Sequence, residues 1–332
     1  MNLPSVWSMA LLVGMVSVLA VAAEPLPSDH VFAPNSFWYR ALPADVPLHP
    51  DSPAFVAEFL RQKTAYYGTV NINTTDYASP VYLADDSTPM VTVTEWNCQG
   101  KRSRDEGLAR QWARVPVPAH ALPAKGTDAE MSIYYPAADM LWDFWNVRRD
   151  EQGAWQACWG GRLERASQSD GIYPGYYGAT ATGLPFIGGQ VTAEELQRGE
   201  IRHVIGITLV DLEDAAVFSW PARRSDGFNP GRVPHRIPEG LRFRLDPAVN
   251  VDALKLHPVA KTIARAAQKY GFVVWDKAGA ISLRAQNPLS YTRLGQPNPY
   301  QALFGKTPAY AVLDGFPWSR LQFLPMHYGK PE

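Results

Sequence analysis

The sequence predicts a mostly β protein: a single jelly-roll-like β-sandwich domain with a few peripheral helices. Three observations lead there. The 29 prolines and 25 glycines are spread along all 332 residues, so the periodic segments between them are short. Hydrophobic residues make up 46% of the chain, enough for a sizeable core and too many for a disordered protein. No internal repeat, low-complexity tract or linker divides the chain, so residues 24–332 read as one domain.

The N-terminal stretch "MNLPSVWSMALLVGMVSVLAVAAEPLP" holds an apolar run from Met9 to Ala23. That is shorter than the roughly 20 residues a membrane span needs. It ends in Ala20-Val21-Ala22-Ala23 before Glu24-Pro25, which predicts a signal peptide over residues 1–23. Its first residues include no Lys or Arg, so a retained N-terminal anchor is the alternative. The expected location is secreted or periplasmic, with no membrane partner after cleavage. In such a compartment Cys98 and Cys158, the two cysteines of the chain, are predicted to form a disulfide.

Three helices are expected. "SPAFVAEFLRQK" (52–63) carries Pro53 in its first turn. "TAEELQR" starts at Thr192, which with Glu195 makes a capping box, and stops at Gly199. The third, 258–270, places Val259, Ile263, Ala266 and Tyr270 on one face and ends at Gly271. Strands are expected at 69–73, 90–96, 130–135, 140–148, 155–162, 203–210, 241–245, 272–276 and 281–285.

The function classes narrow from composition. A net charge of −1 gives no electrostatic reason to bind nucleic acid or an anionic membrane. With 11 Trp, 15 Tyr and 13 Phe, an exported chain has the rings on which sugar C–H faces stack, although β cores also consume aromatics. H-E-x-x-H, G-x-S-x-G, Walker and G-x-G-x-x-G motifs are all missing, and the cysteine spacing fits no zinc site, so neither metal nor cofactor is expected.

The best candidate chemistry lies in "EMSIYYPAADMLWDFWNV" (130–147), a hairpin turning at 135–139. If Ser132 sits opposite Asp143, alternation puts Glu130, Tyr134, Asp143 and Trp145 on one face. Two carboxylates about 5–5.5 Å apart would serve a retaining glycosidase, one as acid and the other as nucleophile. Tyr134 and Trp145 would then grip the sugar, while Trp142 and Phe144 on the other face belong to the core. A one-residue slip would undo this arrangement. In reserve stand Glu200 and His203 as acid/base groups and Arg202 as a substrate-binding cation. The loop 169–189 supplies Tyr176 and Tyr177 to a cleft wall. The leading expectation is therefore a polysaccharide-cleaving enzyme, a glycoside hydrolase. The alternatives are a polysaccharide lyase using His203 with a tyrosine, and a non-catalytic glycan-binding or envelope protein.

"ATATGLPFIGGQVTAEELQRGEIRHVIGITL", "FSWPARRSDG" and "GLRFRLDP" together resemble a group of secreted bacterial proteins. These share A-T-A-x-G-L-P, then E-E-x-x-G-x-I-x-H-A, W-P-A and R-L-x-L. "VAKTIARAAQKYGFVVWDKAGAISLRA" is similar to that group's helix, K-Y-G turn and final hairpin, and "NSFWYRALPADVPLHPDSPAFV" more weakly to its beginning. The resemblance implies an extracellular protein of one common domain and implies no particular reaction. Where that group has D-R-H before its aromatic strand, this chain reads Asp128-Ala129-Glu130, keeping the Asp without the Arg and His.

Overall fold

The computed structural model describes residues 30–332, so the expected signal peptide lies outside the described residues. The described chain is β-rich, with several sheets, a few helices and no barrel. The larger sheet has six strands in the order Asn71–Asn73, Ser282–Arg284, Ile205–Leu209, Phe272–Lys277, Arg242–Leu245, Leu321–Phe323. A second sheet has four, in the order Trp159–Glu164, Met140–Trp145, Met131–Tyr135, Val81–Leu83. Pairing is mixed. The pairs 71–73/282–284, 205–209/272–277 and 81–83/131–135 run parallel, which departs from the antiparallel pairing of a jelly roll. A parallel pair needs a long crossover, and the Pro258–Lys269 helix lies within the connection from Ile205–Leu209 to Phe272–Lys277.

The three expected helices form at Ser52–Ala65, Ala193–Arg198 and Pro258–Lys269. Thr192 and Glu195 close the capping box reciprocally, and Gly199 takes the left-handed conformation at φ 77° that ends the helix. The first and third helices cover one face of the six-stranded sheet: Phe55, Phe59, Val259 and Ile263 share a core with Ile72, Ile207, Val274 and Leu283. The opposite face meets the four-stranded sheet, where Val273 and Trp275 share a second core with Tyr134, Leu141 and Leu163. Beyond the four-stranded sheet, Ile133, Trp142 and Phe144 pack with Trp112, Val115 and Trp155. Trp142 and Phe144 are thus core, as their position opposite Asp143 implied.

One irregularity shapes the site. Ile207 pairs with Val274 but Thr208 pairs with Asp276, so Trp275 is an extra residue on its strand. This bulge lets Trp275 fill the inter-sheet core while the next residue, Asp276, still joins the face that carries Thr208. Trp275 lies flat against Gly206, where any Cβ would stand 2.3 Å from its ring. Only glycine fits there.

Cys98 and Cys158 form the expected disulfide. It ties the segment after Thr94–Glu95 to the turn between Trp155–Ala157 and Trp159–Glu164. Such a bond fits an oxidising, extracytoplasmic environment. No helix among the described residues is long and apolar enough to cross a membrane.

Candidate functional site

The hairpin register is the one required for a shared acidic face. Met131–Tyr135 pairs antiparallel with Met140–Trp145, and Ser132 stands opposite Asp143. That face, however, points into the molecule. Asp143 is fully buried and accepts hydrogen bonds from the Ser132 hydroxyl at 2.6 Å and the Phe186 backbone N–H at 3.0 Å. Ser132 in turn lies 2.8 Å from the Ser79 hydroxyl. Burial pushes the Asp143 carboxyl up to about 6, against the pull of Ser132, Phe186 and Tyr173. Its partners are neutral and close around it, so Asp143 reads as a fixture between the sheets. The expectation of two carboxylates flanking a solvent-filled hollow is corrected here, because the six-stranded sheet packs against the face of the hairpin that carries Asp143.

Glu130 is buried for a different reason. It forms an ion pair with Arg284, whose other branch reaches Asp276 at 2.8 Å. Arg284 is itself 2% exposed and lies over the rings of Phe186 and Trp275, 5.1 Å and 5.7 Å from their centroids. One guanidinium therefore serves a buried carboxylate, Glu130, and a partly buried one, Asp276. Burial lifts Glu130 to about 7 and Asp276 to about 6; Arg284 opposes both shifts, while Asp128 adds to both. Glu130 Oε2 and Arg284 Nε have no hydrogen-bond partner.

These residues back onto a cleft of about 1020 Å³. Its floor is the polar edge of the six-stranded sheet. Asn71 and Asn73 stand opposite Ser282 and Arg284 in the parallel pair, and Ile72 and Leu283 between them point into the helix-covered core. A side-chain ladder crosses this floor: Asn71 donates to Asn73 at 2.6 Å, Asn73 to Ser282 at 3.1 Å, and Ser282 lies 2.7 Å from Thr208. Asn71 Oδ1 is buried without a donor. Exposed tyrosines rim the cleft: Tyr67, Tyr77 and Tyr310, at 81%, 41% and 59% exposure. Asp76, Asp128 and Lys277 also line it. Ala129, between Asp128 and Glu130, takes φ 38°, a left-handed backbone unusual for a residue with a Cβ.

The other expected residues are scattered. Trp145 is half-buried and donates its indole N–H to Asp128 at 3.1 Å, so it supports a cleft residue without lining the cleft. Tyr134 is buried in the inter-sheet core, and its phenol is pushed up chiefly by that burial. Glu200 and Arg202 form an ion pair at 2.8 Å on the surface. His203 is buried, donating from Nδ1 to the Val204 carbonyl at 2.8 Å with Nε2 3.2 Å from Glu195, the capping-box acid. Burial lowers its pKa, but Glu195 more than offsets this and the net shift is upward. A histidine so engaged has no free nitrogen for an incoming substrate, which removes the support for a His203 lyase. Tyr176 and Tyr177 form a separate aromatic patch, stacked on Trp159 at 5.9 and 6.1 Å and donating to Asp105 at 2.9 and 3.1 Å. The cleft residues Asn71, Asn73, Ser282 and Arg284 escaped sequence reasoning. Their signal was the polar–apolar–polar alternation of "NIN" and "SLR" in strands otherwise set among apolar neighbours.

No protein-family model, curated protein or solved structure matches this chain. The resemblance to secreted bacterial proteins therefore stands on its quoted blocks alone.

Proposed function

We propose that this chain is an exported carbohydrate-active protein, with a single sandwich-like domain, that binds an oligosaccharide or polysaccharide in the cleft beside Arg284. One observation carries the reading. The cleft combines a rim of exposed tyrosines with a floor of Asn and Ser side chains. A sugar hydroxyl both donates and accepts, and its C–H faces suit phenol rings, so a saccharide answers both features. The cleft's volume matches the usual range for small-ligand sites. Export rests on the disulfide and on the expected leader.

A second reading, glycoside hydrolysis, is favoured by the two carboxylates that line the cleft, Asp76 and Asp128. They replace Asp143 and Glu130 as the pair to test.

The test is binding to a panel of oligosaccharides by calorimetry, with reducing ends and ultraviolet absorbance measured in parallel. Tyr67→Ala with Tyr310→Ala is expected to weaken binding about tenfold, a loss of roughly 1.4 kcal/mol. New reducing ends that vanish in Asp128→Asn would establish the hydrolase, and binding without cleavage the lectin-like reading. Absence of binding, or binding indifferent to both tyrosines, would overturn the proposal.

A further inference from the structure

If the cleft holds a saccharide, its charge says which kind. Among the residues that line it or ion-pair with its lining, the carboxylates are Asp76, Asp128, Glu130 and Asp276, and the cations are Lys277 and Arg284. Four acids thus face two bases. Arg284 is already committed to Glu130 and Asp276, leaving Lys277 as the one cation beside Asp76 and Asp128. The lifted pKa values of Glu130 and Asp276, due first to burial, are increased by these like charges.

We propose that the cleft selects saccharides bearing free ammonium groups, of the glucosamine type, over neutral and uronate saccharides; this rests on the saccharide reading above. An ammonium brings the positive charge that the acids lack and can pair with Asp76 or Asp128 on the cleft lining. A uronate would instead add a negative charge to a site already in excess, and like-charge juxtaposition of this sort is a strong source of rejection. The tyrosine rim adds a second attraction, since a cationic ligand also sits well over a phenol face.

The experiment is calorimetry on the full mature chain with four probes: glucosamine tetramer, N-acetylglucosamine tetramer, galacturonate tetramer and spermidine, at a pH where the amines are protonated. The expected result is at least tenfold tighter binding of the glucosamine tetramer than of its N-acetylated counterpart. That preference should shrink several-fold in Asp76→Asn and Asp128→Asn, both checked for folding by circular dichroism, and in the wild type when salt rises from about 50 to about 500 mM. Equal binding of the glucosamine and N-acetylated tetramers, or tighter binding of the galacturonate, overturns the charge selection and leaves the saccharide reading standing. Spermidine binding as tightly as the glucosamine tetramer overturns the sugar component as well. If none of the four binds, both fall.

Discussion

Asp143 and Glu130 belong to the same hairpin and both are buried, yet their surroundings differ in kind. Asp143 is answered by neutral donors, a serine hydroxyl and a backbone N–H, and is itself fully buried. Glu130 is answered by a cation that also lines a cleft and is shared with a second acid. The first arrangement pins two sheets together. The second couples the core to whatever enters the cleft, because any charge brought near Arg284 alters the balance felt by Glu130. Burial and a raised pKa are common to both and do not distinguish them; the identity of the partner does.

The largest expected effect breaks the comparison most directly. Arg284→Met strands the buried Glu130 and the partly buried Asp276 and should cost about 3–5 kcal/mol of stability in denaturant unfolding. Asp143→Asn keeps an acceptor for Phe186 and a donor for Ser132, so it should cost about 1 kcal/mol or less. If Asp143→Asn proved the costlier of the two, the contrast between neutral and charged burial would be wrong.

Titration sharpens the comparison further. Asp143 is lifted to about 6 and Glu130 to about 7, both above the ordinary carboxyl range near 4. A raised carboxyl holds its proton more tightly folded than unfolded. Its contribution to stability is therefore complete below about pH 4 and lost as pH rises through the folded value. Unfolding free energies from about pH 4 to pH 8 should show Asp143→Asn removing a loss that runs from about pH 4 to about pH 6, and Glu130→Gln one that runs on to about pH 7. His203, also raised, adds a loss of the same sign, so each variant is read as its difference from the wild type. A difference that does not change with pH would count against the assigned burial.

The smallest effect concerns the joint between cleft and network. Ala129 is held at φ 38° between Asp128 and Glu130. Ala129→Gly should gain about 0.5–1 kcal/mol in thermal unfolding by relieving that backbone. No gain would show that the turn is not strained.

What could be read from sequence was local. The capping box of Thr192 and Glu195 with its Gly199 stop and the proline-led helix starts were each visible within a few consecutive residues, whereas the hairpin left open whether Ser132 faces Asp143 or slips by one residue. The disulfide was visible because two cysteines, in a chain whose N-terminus reads as a leader, leave a single pairing. Short strands such as Val81–Leu83 and Leu321–Phe323 were missed, since three residues between turn formers carry too little periodicity. Tyr176 and Tyr177 were rightly placed on a surface loop, but that loop walls a different patch from the cleft.

Alternation along a strand says which residues share a face. It does not say what that face meets. Glu130 and Arg284 are 154 positions apart, and they touch only because two sheets pack with the polar edge of one beside the hairpin of the other. The bulge at Trp275 that brings Asp276 to the same guanidinium depends on a glycine on the neighbouring strand, 69 positions earlier, leaving room for the indole. Short-range chemistry thus settled the elements and their caps, because hydrogen bonds and dihedral preferences act over a few residues. Long-range packing settled which acids lie buried with neutral partners and which stand behind a cleft, because burial and charge pairing are properties of surfaces that meet only in the folded chain.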